Sequence, residues 1–259
     1  MPPILLYTDF GAADIYVGQV KSVLQSALPG CVIIDLINDV PNFDIAAAAH
    51  LLAALATRLP AGSVTIAVVD PGVGSARGAV ALHADGRWYT GPDNGLLSVL
   101  AARARATECF GIRSGEGEVS VSFHGRDVFA PAAAAIAAGR RDLLVPKARL
   151  DVVIETSDLP RVIYIDHYGN VMTGLTAAHV DRACAFRVAR REIRYARVFS
   201  EVPRGALFWY ENSIGLVEFA LNQGSAAAVL GIAVGDAVAF TSADPRASQP
   251  TSDCPHEQR

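Results

Sequence analysis

Residues 4–69 alternate short apolar runs with stretches of helical spacing, and this alternation limits the fold more than any other feature of the chain. Residues 4–7 are an apolar run that stops at Thr8-Asp9-Phe10-Gly11. Ile15, Val20, Val23, Leu24 and Ala27 then recur at roughly helical spacing, and Pro29-Gly30 ends that helix. Residues 31–36 predict a second strand. Asn42 or Asp44 can cap a second helix carrying Ile45, Ala49, Leu52 and Leu55. Residues 64–69 have the length and branching of a buried strand, and they end abruptly in Asp70-Pro71-Gly72-Val73-Gly74. A β-α-β-α-β series of this kind predicts an α/β fold, with a mostly parallel sheet and helices on both faces.

Further along, residues 79–82 and 88–90 read as a hairpin around Asp85-Gly86. The turn-rich loop Gly91-Pro92-Asp93-Asn94-Gly95 precedes a helix over 96–106. A strand over 119–123 runs into Phe123-His124-Gly125-Arg126-Asp127. A helix over 131–138 follows, with Pro131 tolerated in its first turn. Pro146, Pro160 and several charges predict a linker over 143–160. Beyond it the texture changes to short strands at 161–165, 186–188, 206–210, 216–221 and 237–241, with one short helix over 224–230. That pattern predicts a C-terminal antiparallel β-barrel domain over 160–242, behind an N-terminal α/β sandwich domain over 1–152. The polar tail, 243–259, reads as disordered.

Hydrophobic residues make up 51% of the chain, too many for a disordered protein. No apolar run reaches the ~20 residues that span a bilayer. The N-terminus lacks a basic region before an apolar core, so it does not read as a signal peptide. A net charge of -4 without a basic cluster argues against a nucleic-acid partner. Cys31, Cys109, Cys184 and Cys254 lie far apart, give no metal or disulfide signal, and fit a reducing cytoplasm.

Three predicted strands end in polar, glycine-containing loops, at Asp9, Asp70 and His124. In a parallel sheet such loops gather along one edge, where α/β proteins bind ligands. The loop from Asp70 closes on Arg77, and these two form either a surface ion pair or part of a site. His124 brings an imidazole able to shift a proton near neutral pH. Asp9 and Asp14 flank a turn, where an acid serves either as a helix cap or as a partner for ribose hydroxyls. Gly72-x-Gly74 lacks the third glycine of a dinucleotide fingerprint, and no GxSxG, HExxH or phosphate loop is present. Asp166-His167-Tyr168-Gly169-Asn170 and Glu211-Asn212-Ser213 read on their own as turns. Phe43, Trp209 and Tyr210 are candidate stacking or packing surfaces.

Six blocks together resemble one family. They are Thr8-Asp9-Phe10-Gly11-x-x-Asp14-x-Tyr16-Val17-Gly18, Val69-Asp70-Pro71-Gly72-Val73-Gly74, Gly91-Pro92-Asp93-Asn94-Gly95, Phe123-His124-Gly125-Arg126-Asp127-x-Phe129-Ala130-Pro131, Asp166-x-Tyr168-Gly169-Asn170 and Asn212-Ser213. Their order and content are similar to the S-adenosyl-L-methionine (SAM) hydrolases that form adenosine. These are the hydroxide adenosyltransferases, related to the fluorinase and chlorinase enzymes.

The resemblance implies a homotrimer, with sites between the N-terminal domain of one subunit and the C-terminal domain of the next. It places the family's water-activating set on Asp70, Arg77 and His124, and its ribose-binding acid on Asp9, with Asp14 in the same block. It places an aromatic wall on Phe43, the acid for the methionine ammonium on Asp166, and adenine and methionine contacts on Asn170 and Ser213. The activity implied is displacement by water at ribose C5′ of SAM, with no metal and no cofactor. A halogenase-type transfer is the alternative, opposed by a carboxylate at Asp70 that repels halide. A non-catalytic SAM or nucleoside binder is the other. Two departures stand out in the C-terminal blocks: Met172-Thr173-Gly174 follows Asn170-Val171, and Ile214 follows Ser213 where the halogenases carry a basic residue.

Overall fold

A computed structural model of the chain describes residues 1–113 and 118–241. The tail expected to be disordered, with Cys254, lies outside the described residues. The N-terminal region is built around a seven-stranded sheet in the order β2-β1-β3-β5-β4-β6-β7. In chain order its elements are β1 (Ile4–Thr8), α1 (Ile15–Ala27), β2 (Ile33–Ile37), α2 (Ile45–Ala56), β3 (Val64–Val68), β4 (Ala79–Ala84), β5 (Arg87–Pro92), α3 (Ser98–Arg103), β6 (Thr107–Ile112), α4 (Ala130–Ala137) and β7 (Leu144–Lys147). Strands β2, β1, β3 and β5 run parallel to one another. Strands β4, β6 and β7 extend the sheet antiparallel.

Burial on both faces, with side chains alternating between them, explains why β1 and β3 are almost wholly apolar. In β1, Ile4 and Leu6 join the core beneath α1 and α4, while Leu5 and Tyr7 join the core beneath α2 and α3. In β3, Val64, Ile66 and Val68 face the first layer and Ala67 the second. Helix α1 turns Val17, Val20 and Leu24 inward, and Asp14 caps it by accepting from the Ile15 N–H at 2.6 Å. Asp44 caps α2, accepting from the Ala47 N–H at 2.9 Å. The β4–β5 hairpin turns at Asp85 (φ 45°) and Gly86 (φ 75°), both left-handed, as a two-residue hairpin loop demands.

Two expectations fail here. Residues 119–123 form no strand; they are irregular and lead into a single π turn, Gly125–Phe129, that runs straight into α4. Branched residues suggested a strand, but the segment has no ladder partner among the described residues. Its backbone is held by side chains, as when Asp127 accepts from the Ser120 N–H at 2.9 Å. The linker expected over 143–160 also begins too early, because β7 pairs with β6 and closes the edge of the large sheet. Pro146 is tolerated there because an edge strand can leave one N–H side unpaired.

The C-terminal region contains β8 (Leu159–Ile165), β9 (Val171–Thr176), β10 (Ala185–Val188), β11 (Arg191–Ile193), β12 (Leu207–Glu211), β13 (Leu216–Leu221), α5 (Ala226–Leu230) and β14 (Ala239–Thr241). One antiparallel sheet has the order β12-β13-β9-β8 and the other β11-β10-β14. They meet at two seams, each held by an isolated bridge: Arg161 with Ala237, and Tyr195 with Trp209. The order returns on itself as in a barrel, but no continuous ladder closes the seams among the described residues. Val162, Phe186, Trp209, Val217 and Phe219 fill the interior. Trp209 is 1% exposed and donates to the Cys184 carbonyl at 3.0 Å, so it serves packing. The two regions touch through α2, which packs against β8, with Arg161 paired to Asp44 at 2.7 Å.

Candidate active site

The parallel half of the sheet positions the site. Three carboxylates leave it at neighbouring strand ends: Asp9 after β1, Asp39 after β2 and Asp70 after β3. They line one cavity of about 530 Å³ together with Phe10, Asp14, Tyr16, Phe43, Phe123 and His124. Its rim is tied down by polar contacts. Asp39 accepts from the Ala12 N–H at 2.9 Å, and Asp9 accepts from the Phe43 N–H at 3.2 Å. Buried Thr8 donates to Asn38 at 2.8 Å and holds the ends of β1 and β2 together.

Arg77 binds Asp70 at two points. Nε donates to Oδ1 at 2.9 Å and Nη2 donates to Oδ2. Nη2 also donates to Nδ1 of His124 at 2.9 Å, and Nη1 donates to the Gly78 carbonyl at 3.1 Å. The side chains of Asp70 and Arg77 are only 5% and 9% exposed, so this is no surface ion pair. The guanidinium also lies 5.6 Å from the centre of the Phe129 ring.

The contact with His124 determines its tautomer. A guanidinium has donors only, so Nδ1 must accept and the ring proton sits on Nε2. Burial, and then the charge of Arg77, push the His124 pKa below its ordinary 6.5 and keep the ring neutral. Burial raises the pKa of Asp9, and the nearby charge of Asp70 adds to the rise, while the Phe43 N–H works against it.

Two glycines permit this arrangement. A Cβ on Gly125 would lie 2.8 Å from the Phe10 ring, which packs edge-on to Phe123 with the centroids 5.6 Å apart. A Cβ on Gly74 (φ 80°) would lie 2.6 Å from the Val121 carbonyl. The chain at 118–125 can therefore press against both the Asp9 loop and the Asp70 loop.

Of the residues singled out from the sequence, Asp9, Asp14, Phe43, Asp70, Arg77 and His124 come together. Asp166 and Asn170 do not join them. They line a separate cavity of about 640 Å³ with Tyr168, Phe199 and Ser225. There the Asp166 carboxylate accepts from the N–H groups of Tyr168 and Asn170, both at 2.9 Å, and from the Asn170 amide at 2.9 Å. Ser213 sits on the exposed turn between β12 and β13, where its carbonyl accepts from Arg58 at 3.0 Å. Asp39, Phe10, Tyr16 and Phe123 were not singled out as lining residues. Asp39 carried a usable signal, an acid just past the end of a predicted parallel strand.

Among the described residues, no group of His, Cys, Asp and Glu is arranged to hold a metal ion, and no helix is long and apolar enough to cross a membrane. Fold and crevice together define an α/β protein with a small-ligand site at the carboxyl edge of its parallel strands, where acids and aromatic rings suit a ligand bearing hydroxyls and positive charge. The sequence places the chain in one family. A model described as the SAM hydroxide adenosyltransferase N-terminal domain matches residues 4–144, and its C-terminal counterpart matches residues 160–239. The chain belongs to the SAM hydroxide adenosyltransferase family.

A Thermus thermophilus protein named (R)-S-adenosyl-L-methionine hydrolase is 40% identical, over 91% of this chain and 98% of its own. A Salinispora arenicola protein of the same name is 37% identical, over 93% and 98%. A fluorinase from Actinoplanes is more distant, at 25% over 70% of this chain and 74% of its own. Among solved structures, an uncharacterized conserved protein from Thermotoga maritima superposes with a TM-score of 0.83 at 30% identity, covering 92% of this chain and 99% of that one.

Proposed function

We propose that the chain hydrolyses SAM to adenosine and L-methionine, by displacement at ribose C5′ with a water held by Asp70, Arg77 and His124. The observation that carries this is a charged relay: Arg77 bound at two points to Asp70 and at one to His124, with Asp70 and His124 lining the acidic crevice. A water lone pair forms the C5′–O bond. The C5′–S bond breaks and its electron pair returns to sulfur, which leaves as a neutral thioether and needs no acid. The demand therefore falls on the nucleophile, because bulk water has a pKa of about 15.7. Nε2–H of His124 donates to the water oxygen and aims it. Asp70 keeps free lone pairs beyond its contacts with Arg77 and takes the proton. Arg77 stabilises the carboxylate and holds both partners.

Asp9 accepts the ribose hydroxyls and aligns C5′ with the water and sulfur, a positioning effect worth on the order of 7–11 kcal/mol at best. Asp14 borders the same crevice. Phe43 supplies the aromatic wall beside the substrate. The chain forms a homotrimer in the cytoplasm, in which Asp166, Asn170 and Ser213 of a C-terminal domain (160–242) face the crevice of a neighbouring N-terminal domain (1–152). Asp166 then takes the methionine ammonium, while Asn170 and Ser213 contact adenine and methionine. What supports the assembly is the distribution of the site residues over two separate cavities of one chain. A halogenase reading, raised by the fluorinase relative, has little weight because the Asp70 carboxylate would repel a halide.

The test is chromatography of purified protein incubated with SAM, with and without chloride. Adenosine and methionine in equal amounts, and no 5′-chloro-5′-deoxyadenosine, are the expected products. Tight SAM binding without product over hours would overturn the proposal in favour of a binder. Light scattering on the same sample should give three times the monomer mass.

A further inference from the structure

The Gly91-Pro92-Asp93-Asn94-Gly95 loop has no part in the chemistry above, yet it grips the Asp70–Arg77 loop at both ends. At one end, Nδ2 of Asn94 donates to the carbonyl of Val69, the residue before Asp70, at 2.9 Å. At the other, the Asp93 N–H donates at 3.0 Å to the Gly78 carbonyl, the same oxygen that receives Nη1 of Arg77. The gripping loop is itself anchored. The buried Asp93 carboxylate accepts from the N–H groups of Asp151 (3.1 Å) and Val152 (3.4 Å), and it pairs with Lys147 at 3.2 Å. Oδ1 of Asn94 accepts from the Leu96 N–H at 3.2 Å.

Between the two gripped ends, residues 71–76 are all exposed. Apart from the close approach of Gly74 to the Val121 carbonyl, little packing sets their path, and the separation of Asp70 from Arg77 depends largely on how the ends are held. Val69 is fully buried, so a carbonyl deprived of the Asn94 donor must stay unpaired or rotate toward another partner. Rotation of that peptide plane carries the adjacent Asp70 with it.

We infer that Asn94 is a positioning residue for the Asp70–Arg77 pair, acting through the backbone carbonyl of Val69 without touching the substrate. This inference rests on the catalytic role proposed for Asp70. Displacing a reacting group by about 1 Å costs on the order of a hundredfold in rate. Asn94→Ala and Asn94→Asp both remove the donor, and the second keeps the side chain's shape and its acceptor for Leu96. Both should lower kcat for adenosine release by roughly tenfold to a hundredfold and leave KM for SAM within about twofold.

Calorimetric titration with adenosine checks that every protomer still folds and binds, since an unchanged stoichiometry excludes a loss of folded protein. Asp70→Asn runs beside them as the control for the underlying role. If Asp70→Asn is inactive while both Asn94 variants keep kcat within twofold of the parent, the inference is overturned and the catalytic role stands. If Asp70→Asn stays fully active, the catalytic role fails and the inference fails with it.

Discussion

Nη2 of Arg77 lies 2.9 Å from Nδ1 of His124, and that contact fixes which nitrogen of the imidazole carries its proton. Because the guanidinium can only donate, His124 presents Nε2–H outward as a donor. His124→Ala should therefore lower kcat by about 10² to 10⁴, the range for a positioned proton-handling group. His124→Gln, whose amide can donate from a similar place, should retain more activity than the alanine variant. Measured adenosine release settles the order, and equal rates for parent and alanine variant would remove His124 from the site.

Arg77 serves three side-chain acceptors at once: both oxygens of Asp70 and the imidazole of His124. A lysine keeps the charge but has no planar fork to reach all three. Arg77→Lys should lose about 10² in kcat, comparable to removing one preorganised donor, while remaining folded. A lysine variant within a few-fold of the parent would show that charge alone suffices.

Acid should weaken the enzyme through two groups. His124 titrates below its ordinary 6.5 because burial and Arg77 disfavour its charged form. Protonation would place a hydrogen on Nδ1 and expel Arg77. The folded state thus binds this proton more weakly than the unfolded chain. The stability linked to His124 is present above pH 6.5 and is lost as the pH falls through the lowered folded value. Asp9 has the opposite sense in stability, since burial raises its folded pKa, so acidification relieves the cost of its ionised form. In the proposed role, its protonation nevertheless removes the charged acceptor for the ribose hydroxyls. The profile of kcat/KM against pH should fall on the acid side with two steps, and Asp9→Asn should abolish one of them. A rate that rises between about pH 7 and pH 5 would refute the assignment.

Phe43 stands 71% exposed with a left-handed backbone, φ 64°, while its N–H reaches Asp9. Such a conformation costs a non-glycine residue roughly 1–3 kcal/mol. Phe43→Gly relieves that strain but adds about 0.5–1 kcal/mol of lost chain entropy, so Tm should hold or rise. The lost aromatic face should raise KM for SAM by about two- to tenfold, equivalent to roughly 0.5–1.5 kcal/mol of ring contact. A normal KM would remove Phe43 from the substrate wall.

Much of the fold was legible because β1 and β3 are buried on both faces, and strands so placed are apolar at nearly every position, Thr8 and Thr65 being the exceptions. The acids that stop these runs mark the carboxyl edge of the sheet. The segment at 119–123 misled, because Val119 and Val121 resemble strand residues although no strand among the described residues pairs with them. Asp39 was missed because an acid after a strand that is only half-buried stands out less than Asp9 or Asp70.

Sequence alone determined the α/β alternation and the strand-end loops that carry Asp9 and Asp70, because burial periodicity and turn chemistry are local. Only the tertiary structure decided that Arg77 links Asp70 to His124, residues 54 positions apart in sequence (124 − 70), and that His124 is a donor. It alone separated Asp166 and Asn170 from the crevice within one chain and revealed the grip of Asn94 on Val69. These depend on which backbone atoms come within about 3 Å of one another, which chain packing sets and residue spacing does not.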